Sequence, residues 1–191
     1  MRDIFLMILL TLTGYLAGSV LFAKIFVRVF GHGDVEAESD DGNPGTANAY
    51  MNGGFWCGTL VLLCDLGKGI LPVALFVNLV DDPGCMIIPV MFAPVIGHAF
   101  SIFDNFHGGK CIAVSFGVLL GLYPDLVPAL ILAFFYILFS AVRIRPHSRR
   151  TLVAYLCTSV AAVFLVKQKA VVAAVWLISM VVQRKHVLKS L

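Results

Sequence analysis

The segment Phe106–Gly117, FHGGKCIAVSFG, sets two glycines and a lysine directly ahead of an apolar run. Glycine lets backbone N–H groups come close to an anion, the start of a following helix offers more N–H groups, and a lysine adds a point charge. Gly108, Gly109 and Lys110 therefore have the composition of a phosphate cradle. The spacing is not the G-x-x-x-x-G-K-[ST] of a P-loop, so a nucleotide is not the expected ligand. The competing reading is a glycine-rich turn whose lysine only marks one side of a membrane. A second cation, Lys68, lies inside the apolar run CDLGKGILPV, three residues after Asp65, a spacing that puts both on one helical face. A charge within a span costs about 3 kcal/mol on insertion scales and usually marks a functional path. The bland alternative is a lysine that snorkels to the headgroups.

Residues 31–54 include DDGNPGTANAYMNGG, whose small residues and amides predict a tight, non-helical backbone able to offer N–H groups and the side chains of Asn43 and Asn48 to an anion. Asp34, Glu36, Glu38, Asp40 and Asp41 in the same stretch oppose that use. His98, in IGHAF, reads either as a base or as a hydrogen-bonded core residue, the second being the commoner case. His32, His107 and His147 fall in loops and carry no assigned role. No Gly-x-Ser-x-Gly elbow, HExxH helix or His-x-x-x-x-Asp pair occurs, which removes several hydrolase and transferase classes. Cys57, Cys64, Cys85, Cys111 and Cys157 lie in or beside apolar runs without a CxxC pair, so neither a metal site nor a disulfide framework is expected, and no cofactor is implied.

These residues must be held by a membrane scaffold. With 60% hydrophobic and 13% charged residues and a mean hydropathy of +0.94, the 191-residue chain is too apolar for a soluble domain. The run 4–30 exceeds a signal-peptide core and lacks a small-residue cleavage site, so it reads as a retained span. Further apolar runs cover 55–80, 86–103, 112–122, 126–142, 151–166 and 170–182, of which 112–122 is too short to cross ideally and contains Gly117 and Gly121 for close packing. The fold class is thus an all-α integral membrane protein, one domain over 1–191, with a bundle of about seven transmembrane helices. Lysine and arginine are retained on the cytoplasmic side. With the N-terminus outside, Lys24, Arg28, Lys110, Arg143, Arg145, Arg149, Arg150, Arg184, Lys185 and Lys189 lie inside, and only Arg2, Lys167 and Lys169 outside. The C-terminus is then cytoplasmic, and four polar segments share the cytoplasmic face.

In order and spacing, GSVLFAKIF, DGNPGTANAY, DLGKGILPV and GHAFSIFDNFHGGKCIAVSFGVLLGLYP together resemble the bacterial acyl-phosphate-dependent glycerol-3-phosphate acyltransferase family, the PlsY type. The resemblance covers nearly the whole chain. It implies a seven-helix enzyme of the bacterial inner membrane, active on the cytoplasmic face. Such an enzyme moves a fatty acyl group from acyl phosphate to the sn-1 hydroxyl of glycerol 3-phosphate in phospholipid biosynthesis. It implies Lys110 and Asp41 as catalytic positions, and Asn43, Gly45, Asn48, Lys68, Gly108, Gly109 and His186 as phosphate or substrate ligands. Membrane lipids surround such a protein, no nucleic acid partner is expected, and a homo-oligomer is left open.

The chain also departs from the family pattern. Asp40 and Asp41 stand where a Gly and a Ser are usual, Thr46-Ala47 replaces Ala-Thr, and Met51 takes an arginine position. His107, Cys111 and Val114 replace a basic residue, a Gly and a Thr, and no Asn follows His186 at the family spacing. A carboxylate at Asp41 disfavours a neighbouring phosphate, and losing the arginine removes a bidentate fork. An inactive paralogue that binds lipid or a phosphorylated ligand is therefore the alternative. A transporter with Asp65 and Lys68 as a relay is disfavoured because the chain shows no matching halves.

Overall fold

The computed structural model describes residues 1–31, 33–39 and 42–188, with the side chains of 186–188 excepted. Its α-helices are α1 (Arg2–Ser19), α2 (Phe22–Val29), α3 (Thr46–Leu79), α4 (Ile87–Ala99), α5 (Ile112–Leu120), α6 (Val127–Ala141), α7 (His147–Leu165) and α8 (Lys169–Leu188). No strand occurs among the described residues. Counting α1 and α2 as one broken rod, the described residues form seven rods. The Arg2 guanidinium donates to the Leu79 carbonyl at 3.0 Å, so the start of α1 and the end of α3 share one end of the bundle.

Among the described residues, three helical runs, Arg2–Val29, Thr46–Leu79 and Gly84–Asp104, are long and apolar enough to cross a bilayer. At about 1.5 Å per residue the 9 residues of α5 cannot span the hydrocarbon layer alone. Instead α5 is packed against α3 and α4.

Glycines set the closest helix contacts. A methyl group added at Gly18 would strike the Pro94 backbone, and one at Gly97 the Tyr15 carbonyl, so α1 and α4 meet backbone to backbone. Gly69 and Gly117 do the same for α3 and α5, against Val114 and the Leu66 carbonyl. Lipid tails are as apolar as leucine, so close van der Waals packing must hold such helices together. Around these seams lies the main core, with Val73, Phe76, Val90, Met91, Val95, Val114 and Val118 fully buried. A smaller core of Ala23, Val27, Val35, Ala49, Cys57 and Val61 sits apart from it.

Two features differ from the expectation. The first apolar run breaks at Val20, where ψ is 114°. The carbonyls released there are answered from elsewhere in the chain: Ser101 Oγ, in the loop after α4, donates to Ser19 O at 2.6 Å, and Lys68 Nζ of α3 donates to Val20 O at 2.7 Å. Residues 46–53, expected as non-helical backbone, are helical. A kink at Gly54 (φ 77°, ψ −178°), a conformation open essentially to glycine alone, separates them from the rest of α3.

The polar segments gather at one end. Lys24 Nζ reaches Asp104 at 2.6 Å and Glu36 at 2.8 Å, tying 33–39 to 102–107. The Glu36 N–H, and then the Arg28 guanidinium, hold the exposed Asp34 carboxyl below its usual range. Lys185 lies 4.7 Å over the Phe100 ring, bringing α8 to the same end.

The two glycines of GKG separate packing from propensity. Gly67→Ala meets open space and is expected to stabilise by about 0.5–1 kcal/mol through helix propensity. Gly69→Ala puts a methyl 2.5 Å from Val114 O and is expected to destabilise by about 1–3 kcal/mol. Thermal unfolding of the two variants in detergent checks the contrast.

Candidate active site

A cavity of about 560 Å³ opens at this end between α3, α5, α6 and α7. Its polar wall includes Asn43, Gly45, Thr46, Asn48, Asp65, His98, Lys110 and His147, and its apolar wall Leu62, Leu66, Phe116, Leu120 and the ring of Tyr136. Three helices present their N-termini to it: α3 through Thr46, Ala47 and Asn48, α5 through Ile112 and Ala113, and α7 through His147. No side chain caps any of the three among the described residues. A helix N-terminus carries about half a positive charge and uncommitted N–H groups, so the three together favour an anion.

The α3 start is locally determined. Asn48 Nδ2 donates to Asn43 O at 2.8 Å, closing the turn across Gly45, and a side chain at Gly45 would run into the Asn43 amide. The α5 start is held by Cys111, whose φ of 65° is left-handed and explains why a glycine suits the position. Here the thiol is buried, 3.4 Å from Val95 O.

Behind the wall lies a buried ionic cluster. Lys68 Nζ makes contacts of 2.7 Å to Val20 O, 2.9 Å to His98 Nδ1 and 2.9 Å to Asp65 Oδ1, with Lys68 and Asp65 both almost wholly buried. The first two are hydrogen bonds and the third is an ion pair, so the ammonium is fully engaged inside the bundle. Thr46 Oγ1 donates to Asp65 Oδ2 at 3.3 Å, linking the cluster to the start of α3. The ammonium is a donor only, so His98 accepts at Nδ1 and carries its proton on Nε2. That nitrogen lies against Gly109, where a methyl group would collide with it.

The residues singled out in sequence thus fall into three groups. Asn43, Gly45, Asn48 and Lys110 come together in the cavity wall. Lys68, Gly108 and Gly109 stand behind it. The Gly109 N–H, expected to face an anion, donates to His98 O at 2.9 Å, and Gly108 fits because a side chain would strike that same carbonyl. The glycines therefore serve the approach of this loop to α4. Asp41 and the His186 side chain lie outside the described residues. Thr46, Tyr136 and His147 were missed, since neither spacing nor a motif joins them to Lys110; the hairpin of α6 and α7 brings the last two in. No group of three or more His, Cys, Asp or Glu side chains among the described residues could hold a metal ion.

A family model for glycerol-3-phosphate acyltransferase matches residues 8–191. The chain belongs to the glycerol-3-phosphate acyltransferase family. Among relatives of that name, the Pseudomonas aeruginosa PAO1 protein is 42% identical over 129 residues, 65% of this chain and 64% of that one. The Carboxydothermus hydrogenoformans protein is 38% identical over 115 residues, 60% of this chain and 57% of that one. Each alignment thus spans less than two thirds of the relative's length. The crystal structure of PlsY (YgiH), an integral membrane glycerol 3-phosphate acyltransferase, in its glycerol 3-phosphate form shares the fold. Its TM-score is 0.81 at 24% identity, covering 97% of this chain and 88% of that chain. The lysophosphatidic acid form gives 0.78 at 23%, covering 94% and 87%.

For this acyltransferase-family chain, the buried ion pair of Lys68 predicts a structural effect of its removal. Lys68→Met strands Asp65 without its countercharge and is expected to cost about 3–5 kcal/mol. Adding Asp65→Leu should return most of that loss, as thermal unfolding of the single and double variants will show.

Proposed function

We propose that the protein transfers a fatty acyl group from acyl phosphate to the sn-1 hydroxyl of glycerol 3-phosphate, giving lysophosphatidic acid and phosphate. The observation that carries this reading is one cavity that has three helix N-termini and Lys110 on one wall and aliphatic and aromatic side chains on the other. Such a space suits one phosphate-rich reaction centre with an acyl chain attached. Membership of the family and the ligands named for the PlsY crystal structures support the same assignment.

Acyl phosphate is already activated, so the chain needs no covalent nucleophile. The glycerol 3-phosphate hydroxyl oxygen attacks the acyl carbonyl carbon, the carbon–oxygen bond to phosphate breaks, and phosphate leaves with the electron pair. Lys110 and the N-termini of α3 and α5 offset the charge that builds on the carbonyl oxygen and the departing phosphate. Asn43, Gly45 and Asn48 shape the wall. Asp41, just ahead of it in sequence, takes the hydroxyl proton, and His186 adds a donor from the tail. Lys68, Gly108 and Gly109 act by position, keeping the Lys110 loop against α4.

The cavity end is assigned to the cytoplasmic face of a bacterial inner membrane, with the N-terminus outside. The distribution of Lys24, Arg28, Lys110 and Arg143–Arg150 supports this. Cys85, exposed in the turn before α4 at the opposite end, then faces outward. A membrane-impermeant maleimide should label it in intact spheroplasts; labelling only after lysis would invert the topology.

The activity is tested with palmitoyl phosphate and the purified protein. Phosphate release should require glycerol 3-phosphate and yield lysophosphatidic acid by mass spectrometry. Lys110→Ala should lower kcat/KM by about 10²–10³, the size found for losing one oxyanion-type donor, with the unfolding midpoint little changed. A folded wild type that releases no phosphate sinks the assignment.

A further inference from the structure

All eleven acidic residues of the chain lie within 1–125, whereas 126–191 carry nine lysines and arginines and no acid. Such an asymmetry between the parts of a chain points to an anionic surface as partner. Four of the nine, Arg143, Arg145, Arg149 and Arg150, fall in the loop between α6 and α7 and the first turn of α7. Arg150 is turned inward, its Nη2 2.6 Å from His147 Nδ1 and its guanidinium carbon 5.6 Å over the Tyr136 ring. Arg143, Arg145 and Arg149 are exposed. So is Arg184, near the end of α8, which packs on α7 and finishes at the same end of the bundle. None of these four exposed arginines forms an ion pair with an acid among the described residues. By contrast, Lys24 and Arg28 at this end are both paired, so acids are present here but committed elsewhere.

Leu130, Phe134 and Ile137 form an exposed apolar face of α6 that leads up to this loop. Arg143 stands six residues beyond Ile137, roughly 9 Å of helix rise, which carries the arginines out of the hydrocarbon and into the headgroup layer. A basic cluster immediately beyond a span is drawn to anionic headgroups, and a guanidinium takes a phosphate through two parallel donors. We propose that Arg143, Arg145, Arg149 and Arg184 form a binding surface for the headgroups of anionic phospholipids. Topology needs only the sum of charge on one side of the membrane, whereas this surface holds a ligand. His147, in the same turn of α7 as Arg149, lines the cavity, so lipid bound here keeps the cavity end at the headgroup plane.

The test is native mass spectrometry of the full-length protein in detergent, titrated with dioleoyl phosphatidylglycerol or dioleoyl phosphatidylcholine. Each arginine near an anionic headgroup is worth about fivefold in affinity, so wild type should prefer phosphatidylglycerol by about tenfold or more. The combined variant Arg143→Gln, Arg145→Gln, Arg149→Gln should bind the two lipids nearly alike. The variant Lys167→Gln, Lys169→Gln, which removes charge at the turn between α7 and α8, should keep the preference. Equal binding of both lipids by wild type overturns the proposal. So does a preference that survives in the arginine variant, or one lost as fully in the lysine variant, because net charge would then be the cause. If the arginine variant does not fold, wild type in rising salt decides. A preference lost between about 0.05 and 0.5 M salt upholds the surface, and one indifferent to salt rejects it. No turnover enters the readout, so a failed acyl-transfer assay and a failed lipid titration are separate results.

Discussion

The ammonium of Lys68 is the constraint around which this end of the molecule is arranged. A charge removed from water must find a full set of partners or cost several kcal/mol, and here the partners come from three helices. Val20 O marks the break in the first rod, Asp65 lies one turn back on α3, and His98 closes α4. Each partner fixes something further. The accepted Val20 carbonyl lets α2 leave the axis of α1, Asp65 holds the Thr46 hydroxyl, and His98 O holds the Gly109 N–H. The position of Lys110 at the cavity thus follows from an ion cluster that never touches the cavity through its lysine.

Irregular backbone inside a membrane protein is tolerated only where protein or water answers its polar groups. The break at Val20, the kink at Gly54 and the left-handed Cys111 lie toward one end of the bundle, among the hydroxyl, ammonium and carbonyl groups that satisfy them. The opposite end has only short turns. This asymmetry gives one face three helix starts with their dipoles directed at a common space, while the glycine seams keep the rods close enough for those starts to converge.

Much of the scaffold was legible. The runs 55–80, 86–103, 112–122 and 126–142 could be read because a bilayer demands continuous apolar sequence, and each holds a helix within a few residues of those limits. The break at Val20 was not legible, because the residues there are ordinary span residues and the cause lies in Lys68 and Ser101. The helix at 46–53 was hidden by Asn and Gly, which also signal turns. Within the site, the motif resemblance grouped Asn43, Gly45, Asn48 and Lys110, and all four line one cavity. It could not tell a glycine that makes room for a ligand from one that makes room for a neighbouring backbone, which is the case at Gly108 and Gly109. Nor could it tell a lysine that lines the cavity from one ion-paired inside the bundle. The contact of Arg150 with His147 and Tyr136 depends on how one hairpin folds back, and no local pattern encodes that.

The separation of the two apolar cores has a consequence for motion. Structures open in contiguous cooperative units whose stability follows their buried contacts. The minor core joins α2, the segment around Val35 and the first turns of α3, and it is fastened to the rest partly through the half-exposed ion pairs of Lys24. The major core holds α4, α5 and the long part of α3. Asn43 to Tyr50 thus belong to the lighter unit and Lys110 to Phe116 to the heavier one. Amide exchange should divide along that line, with one wall of the cavity breathing on a faster clock than the wall it faces.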